Sequence, residues 1–274
     1  SYLFRVAAVN AVGVGAYSGE SNSVIPMTVT AAPTSLVGTF GNAQVSLSWN
    51  APLSIGGSAI SDYAIEYSSN SGTSWTSFAH AASTTTAATV TSLSNGTSYL
   101  FRVAAVNGAG TGAFVQSVAI IPKTVASAPT ALVGAFGNAQ VILTWSVPAS
   151  TGGSSITDYS ILYRVNTPSS SWSTFTHGAS AATTATVAGL ANGTSYVFQV
   201  AALNVVGLGA FSAESLPVTP MTTADVPTGL AGTFGNSQVS LNWNAPLSIG
   251  GSAISTYAIE YSSNSGTSWT SFVH

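Results

Sequence analysis

An all-β array of similar domains is the fold class this sequence predicts, on three observations. The first is repetition. Ser1–Asn10 reads SYLFRVAAVN, returns unchanged as Ser98–Asn107, and returns edited as Ser195–Asn204. The tyrosines of the three copies, Tyr2, Tyr99 and Tyr196, lie 97 residues apart each time. That period is too long for a solenoid repeat of roughly 20–50 residues and suits an array of whole domains. The second is alternation. Tyr2, Phe4, Val6 and Ala8 fall on one face and Leu3, Arg5, Ala7 and Val9 on the other, the period-two pattern of a strand. The third is punctuation by turn signals such as Gly41-Asn42, Asn70-Ser71-Gly72 and Asn95-Gly96.

The elements follow in order. Residues 1–29 hold one strand, a turn at Gly13 and Gly15, and a returning strand over 16–27, the tail of a domain. Residues 30–124 make a whole unit. Its strands are predicted at Leu36–Phe40, Val45–Trp49, Tyr63–Tyr67, Trp75–Phe78, Ala87–Leu93, the stretch from Ser98, and Phe114–Ile121. Within the second of these Val45, Leu47 and Trp49 point inward. Residues 125–223 repeat the plan, with Trp145, Gly152-Gly153, Tyr159–Tyr163, Trp172 and Tyr196 in step. Residues 224–274 begin it again, with Trp243, Gly250-Gly251, Tyr257–Tyr261 and Trp269. Residues 33–80 and 227–274 differ at six positions, Ser35/Gly229, Val37/Ala231, Ala43/Ser237, Ser48/Asn242, Asp62/Thr256 and Ala79/Val273. The middle unit departs further, which points to a two-domain super-repeat and recent duplication.

Composition narrows the function classes. Only 4% of residues are charged and the net charge is −3, against about 25% charged residues in ordinary soluble proteins. Four cations, Arg5, Arg102, Lys123 and Arg164, are too few to displace counterions from phosphates, so no nucleic acid partner is expected. No apolar run reaches the ~18 residues of a membrane span, and a polybasic patch is missing, so no membrane insertion is expected. Without cysteine there is neither a disulfide framework nor a thiolate metal site. Ser and Thr supply the polarity. Such a surface is either covered, by glycan or neighbouring subunits, or kept soluble by hydroxyls alone.

Several marks recur in register. They are a proline before the first strand, a tryptophan in the second and Tyr-x-Ile-x-Tyr in the third. Leu-x-Asn-Gly-Thr-x-Tyr, Phe-Arg-Val-x-Ala-x-Asn and a Gly-x-Gly hairpin follow. Together these resemble the fibronectin type III domain, and in particular its Ser/Thr/Gly-rich tandem variants in bacterial secreted and surface proteins. The resemblance covers essentially the whole chain. It implies immunoglobulin-like seven-strand β-sandwiches, an ABE sheet on a C′CFG sheet. It also implies a core of Trp49, Tyr67, Leu93, Tyr99, Phe101 and Val103. Tyr99 and Tyr196 take the place of the tyrosine corner, whose hydroxyl bonds backbone upstream. The fold itself implies no single function. The loops Asn10–Ala16, Asn107–Ala113 and Asn204–Ala210 stand where some members carry Arg-Gly-Asp, and no such triplet occurs here.

No catalytic constellation is legible. The seven carboxylates are dispersed, with Asp62, Glu66 and Asp158 on outward faces, and no histidine stands beside a nucleophile by motif. Gly13-Val14-Gly15 sits in a hairpin and does not open a helix, so it is no phosphate loop. No enzymatic role and no cofactor or metal are expected. His80, His177 and His274 are equivalent but belong to successive domains, and read as polar residues at a strand end. Asn95-Gly96-Thr97 and Asn192-Gly193-Thr194 match the N-glycosylation sequon, while Asn-Gly equally supplies the tight turn those positions need.

Two features bear on assembly. The loop Pro52-Leu53-Ser54-Ile55, repeated as Pro246-Leu247-Ser248-Ile249, carries apolar tips. Leu53, Ile55, Leu247 and Ile249 are expected to pack between domains and stiffen the array across linkers too short to act as tethers. The outward face of the repeated strand is apolar, at Leu100, Ala104 and Val106 or Val197, Ala201 and Leu203. It is either tolerated or buried laterally, with Leu100, Val106, Val197 and Leu203 as contacts.

The chain opens in the repeated strand at Ser1–Asn10 and closes after the counterpart of Trp75–Phe78. That reads as a window on a longer array, or as ends that complete one another head to tail. The two ends together lack an equivalent of Ala81–Thr97, and so of the Ala87–Leu93 strand, which weighs against the second. The expectation is a non-catalytic segment of an extracellular or cell-surface rod, stalk or filament, with self-association or a carbohydrate or cell-surface ligand as partner. The alternative is a spacer or accessory binding region of a secreted polysaccharide-degrading enzyme or an adhesin.

Overall fold

The structure, a computed structural model, describes residues 1–273, all strand, turn and loop. It falls into two compact units, residues 1–124 with Gly152–Ser154, and the remainder.

The first unit opens with a hairpin, β1 (Val9–Asn10) and β2 (Gly13–Val14). Its arms continue as a loose ladder in which Tyr2 pairs with Val24, and Ser18 and Ser21 donate backbone N–H to Val6 and Phe4. A sandwich follows: β3 (Thr34–Gly41), β4 (Gln44–Asn50), β5 (Ile60–Ser68), β6 (Thr76–Ser77), β7 (Ala87–Val90), β8 (Leu100–Asn107), β9 (Gly110–Thr111) and β10 (Val115–Gln116). One sheet runs β3-β4-β7; the other runs β10-β8-β5-β6, with β9 also on β8. All pairs are antiparallel.

The alternation of β4 decides its burial. Val45, Leu47 and Trp49 lie in the core and Ser46, Ser48 and Asn50 outside. They meet Tyr63 and Ile65 of β5 and Phe101 and Val103 of β8, so one core fills the space between the sheets. Trp49 meets Tyr63 edge-on at 5.1 Å, a geometry aromatic quadrupoles favour. Gly38 lies opposite Leu47, and a Cβ there would come within 2.4 Å of Ile120. Tyr99 closes the corner, its hydroxyl accepting the Ser94 N–H at 3.1 Å. Tyr67 is only partly buried and packs against the core edge.

The last strand is shorter than its alternation predicts. Only Val115–Gln116 pairs as strand, and the ladder resumes at the single bridge Tyr99–Ile120. Buried Ser117 causes the break. Its Oγ accepts the Phe101 N–H at 3.0 Å, in place of a backbone carbonyl. Ser215 and Ser212 do the same for Phe198 and Val200, and Ser21 and Ser18 for Phe4 and Val6. The edge strand is thus kinked while its neighbour's donors stay satisfied.

The second unit holds a sandwich on the same plan: β11 (Thr130–Gly137), β12 (Gln140–Ser146), β13 (Ile156–Val165), β14 (Ser173–Phe175), β15 (Thr184–Ala188), β16 (Tyr196–Asn204) and β17 (Gly207–Phe211). Its sheets run β11-β12-β15 and β14-β13-β16-β17. The Tyr196 hydroxyl accepts the Ala191 N–H at 3.2 Å. Beyond it lie two hairpins, β18 (Thr228–Gly235) with β19 (Gln238–Asn244), and β20 (Ile259–Tyr261) with β21 (Thr270–Phe272). Their apolar residues, among them Leu230, Val239 and Phe272, stay exposed.

Candidate functional site

The most constructed feature outside the cores is a joint at the Gly-Gly loop, made of backbone. In the first unit the segment entering the sandwich runs alongside loop 54–57. Thr28 donates N–H to the Gly56 carbonyl at 2.9 Å, and Ala31 to that of Ser54 at 2.9 Å. Gly56, at φ +69°, leaves no room for a side chain: a Cβ would stand 2.0 Å from the Thr28 oxygen. Asn107, buried at the end of β8, clamps the joint. Its Nδ2 donates to the Thr28 and Ile55 carbonyls, both at 2.8 Å. In the second unit Thr222 donates to Gly250 at 2.8 Å and Asp225 to Ser248 at 2.9 Å. There a Cβ on Gly251 would reach 2.4 Å from the Gly193 nitrogen. The recurring Gly-Gly pairs therefore mark close backbone approach. The signal was in the sequence, as glycine pairs in step with the repeat, but the segment that runs beside them was not.

This joint corrects the expected packing of the loop tips. Leu53 and Leu247 point into solvent, 98% and 97% exposed, and Ile55 and Ile249 are close to half exposed. With the incoming backbone bonded directly to loop carbonyls, no space is left for leucine side chains to fill.

The outer face of strand β8 is also not the bare apolar surface expected. Ala104, Ala201 and Val197 are buried, and Leu100, Val106 and Leu203 partly so. Arg102 lies across this face, 4.3 Å from the Trp75 ring centre and 4.5 Å from that of Phe114. Its guanidinium bonds Glu66, Nε to Oε2 at 2.6 Å. In the second sandwich Gln199 takes the place of Arg102, and the cation moves to Arg164, over Trp172 at 5.0 Å and paired with Glu214 at 3.0 Å. Arg5 stacks on Tyr17 at 4.6 Å, and Lys123 lies 5.9 Å from the Phe40 ring centre. All four cations of the chain thus lie over aromatic rings, where desolvation strengthens the attraction.

Asn95 and Asn192 work inside their own sandwiches. Asn95 Oδ1 accepts the Ala43 N–H at 2.9 Å and its Nδ2 donates to Asn42 at 2.8 Å. Asn192 makes the same pair with Ala139 and Asn138. Gly96 and Gly193 follow at φ +83° and +80°. The amide nitrogen a glycan would use already holds the hairpin between the first two strands.

His80 bridges the carbonyls of Tyr63 and Ala81, and His177 those of Tyr159 and Gly178. Each pins a connecting segment to strand β5 or β13. His274 lies outside the described residues. Among the described residues no three His, Cys, Asp or Glu side chains gather as a metal site, and no helix is long and apolar enough to cross a membrane.

Residues 31–121 and 127–218 match the fibronectin type III domain. The chain belongs to the fibronectin type III family. It is 30% identical over 228 residues to myomesin-2 of Homo sapiens, covering 79% of this chain and 15% of that protein. It is 30% identical over 229 residues to the striated-muscle M-protein of Gallus gallus, covering 79% of this chain and 16% of that one. Slow-type myosin-binding protein C of Rattus norvegicus is 31% identical over 133 residues, covering 48% of this chain and 21% of that protein. Among solved structures, the chicken CNTN1 FN1–FN3 domains are 19% identical with a TM-score of 0.40, covering 89% of this chain and 86% of that one. The chain thus spans about a sixth of the first two relatives. They are animal proteins, so the bacterial surface type is not supported. The expected extracellular or cell-surface location is overturned, because the relatives bear the names of striated-muscle and myosin-binding proteins.

Proposed function

We propose that this fibronectin type III segment is a non-catalytic structural element of a rod- or filament-forming protein. Its described residues would set distance and stiffness between whatever lies on either side. The joint at Thr28, Gly56 and Asn107 carries this reading. A flexible linker spends no buried side chain on its neighbour, whereas Asn107 gives both amide hydrogens to the joint. The same backbone pairing recurs at Thr222 and Gly250. The similarity to myomesin-2, M-protein and myosin-binding protein C supports a structural role. It also gives the reading its partner class, a filament protein.

Small-angle scattering of the chain and of Asn107→Ala tests this. The proposal expects semi-rigid behaviour in the parent and greater flexibility in the variant. A parent that scatters as freely jointed beads, or a variant with identical flexibility, would refute it.

A further inference from the structure

A sheet edge that could take another strand is ordinarily blunted by charge, proline, a bulge or brevity. In the second sandwich β11, β14 and β17 are blunted. Strand β11 carries a register shift between Thr130 and Val133, with Ala131 at φ +53°. Strand β14 is only 3 residues long. Strand β17 shifts register against β16, and past it Ser212 Oγ stands in for a backbone carbonyl. The remaining edge, β15, has none of these devices. It ends its sheet and pairs with β12 over Thr184–Ala188 without a shift.

The outer side of β15 carries backbone groups along its length. The Trp145 N–H donates to the Thr183 carbonyl, and successive residues of a strand direct their backbone groups to opposite sides. Ala185 and Val187 therefore bond β12, and the N–H and C=O groups of Thr184, Thr186 and Ala188 point away from it. No charge stands beside them in the sheet: β11, β12 and β15 contain none. Asp158 and Arg164 lie on β13, and Glu214 pairs with Arg164.

The first sandwich is less open at this edge. Its β7 has 4 residues. Thr85 Oγ1 donates to the outward carbonyl of Ala87 at 3.3 Å, and Ala182, in the matching place, has no hydroxyl to give. Ser46 bonds Thr89 across the outer face at 3.3 Å. In the second sandwich Ile142 takes that place beside Thr186 and is 40% exposed.

We propose that β15 pairs with β15 of a second copy of this chain, antiparallel, about a two-fold axis through Thr186. This goes beyond the proposed structural role and does not rest on the stiffness of the joint. The strand is its own complement. Thr186 meets Thr186 of the second copy and Thr184 meets Ala188, so each outward residue exchanges both of its bonds with its partner. On the outer face the two threonines form a favourable cross-strand pair, flanked by Ile142 of each copy. The neutral sheets bring no like charges together. The contact is isologous and closes at two copies, a lateral tie between chains.

The cysteine-free chain allows a direct trap. Bonded antiparallel partners sit about 5.5 Å apart at Cα, within reach of a disulfide. Thr186→Cys should cross-link to itself on mild oxidation. Thr184→Cys and Ala188→Cys stand about 13 Å from their own counterparts. Each should stay free alone, and the two should cross-link when mixed. Sedimentation adds a second arm. Thr186→Lys sets like charges on the axis and should weaken dimerisation about three- to tenfold. Thr89→Lys, at the matching place in the first sandwich, should leave it unchanged. These positions are all exposed, and unchanged melting of each variant checks its fold. A parent that stays monomeric at its highest soluble concentration would overturn the proposal. So would cross-links that ignore the pairing of 184 with 188, or a Thr186→Lys variant that associates as the parent does. Dimerisation weakened by Thr89→Lys would equally overturn it.

Discussion

Ser98–Asn107 and Ser1–Asn10 share every residue, and their surroundings give them opposite fates. In the first, Phe101 and Val103 are fully buried and Tyr99 closes a corner. In the second, Tyr2, Phe4 and Val6 lie mostly exposed and the strand survives as short pairs and side-chain bridges to Ser18 and Ser21. The same contrast divides 33–80 from 227–273. Alternation thus encodes which face of a strand is to be buried, while burial itself needs the opposing sheet. Stability in these units comes from the facing pair of sheets more than from any strand's own propensity.

The largest effect that could break this comparison lies in the core. Phe101→Ala should cost about 3–5 kcal/mol in denaturant unfolding. Phe4→Ala in the same dilute chain should leave the unfolding of both complete sandwiches unmoved. Equal losses would mean the two copies are equally buried.

Next comes the joint. Gly56→Ala places a side chain against the Thr28 carbonyl at a positive φ, and should destabilise the first unit by about 2 kcal/mol. Leu53→Ser, at an exposed tip beside it, should stay within about 0.5 kcal/mol. The reverse order in a melting experiment would restore the leucines as the packing element.

A smaller effect separates the tyrosines. Tyr99→Phe leaves the Ser94 N–H without its acceptor and should cost about 1 kcal/mol. Tyr2→Phe should cost nothing measurable in dilute solution.

The smallest concerns Ser35, held at φ +55° where the matching position is Gly229 at +64°. Ser35→Gly relieves left-handed strain and adds unfolded-state entropy, for a net gain of about 0.5 kcal/mol in thermal melts. A loss would show that Ser35 is not strained there.

Much of the fold was legible because β-sandwich signals are local. Alternation placed Val45, Leu47 and Trp49 inside, and Asn-Gly placed the turns. What stayed hidden was non-local. Nothing near Gly56 reveals that Thr28 runs beside it. Nothing in Leu53 reveals that the neighbouring backbone has closed the space it was expected to fill. The face of Leu100, Ala104 and Val106 looked bare because Trp75 and Phe114, which flank Arg102, come from the segments that lead into β6 and β10. Asn95 was read as turn or sequon, and its actual task, holding Asn42 and Ala43, depends on a contact more than fifty residues away.

The most direct measurement is backbone hydrogen exchange at the two identical decapeptides, resolved by their positions in an NMR spectrum. In dilute solution Ser98–Asn107 should be protected at least a thousandfold more than Ser1–Asn10, because only the former opens with its whole sandwich. Equal protection of the two decapeptides would contradict the account.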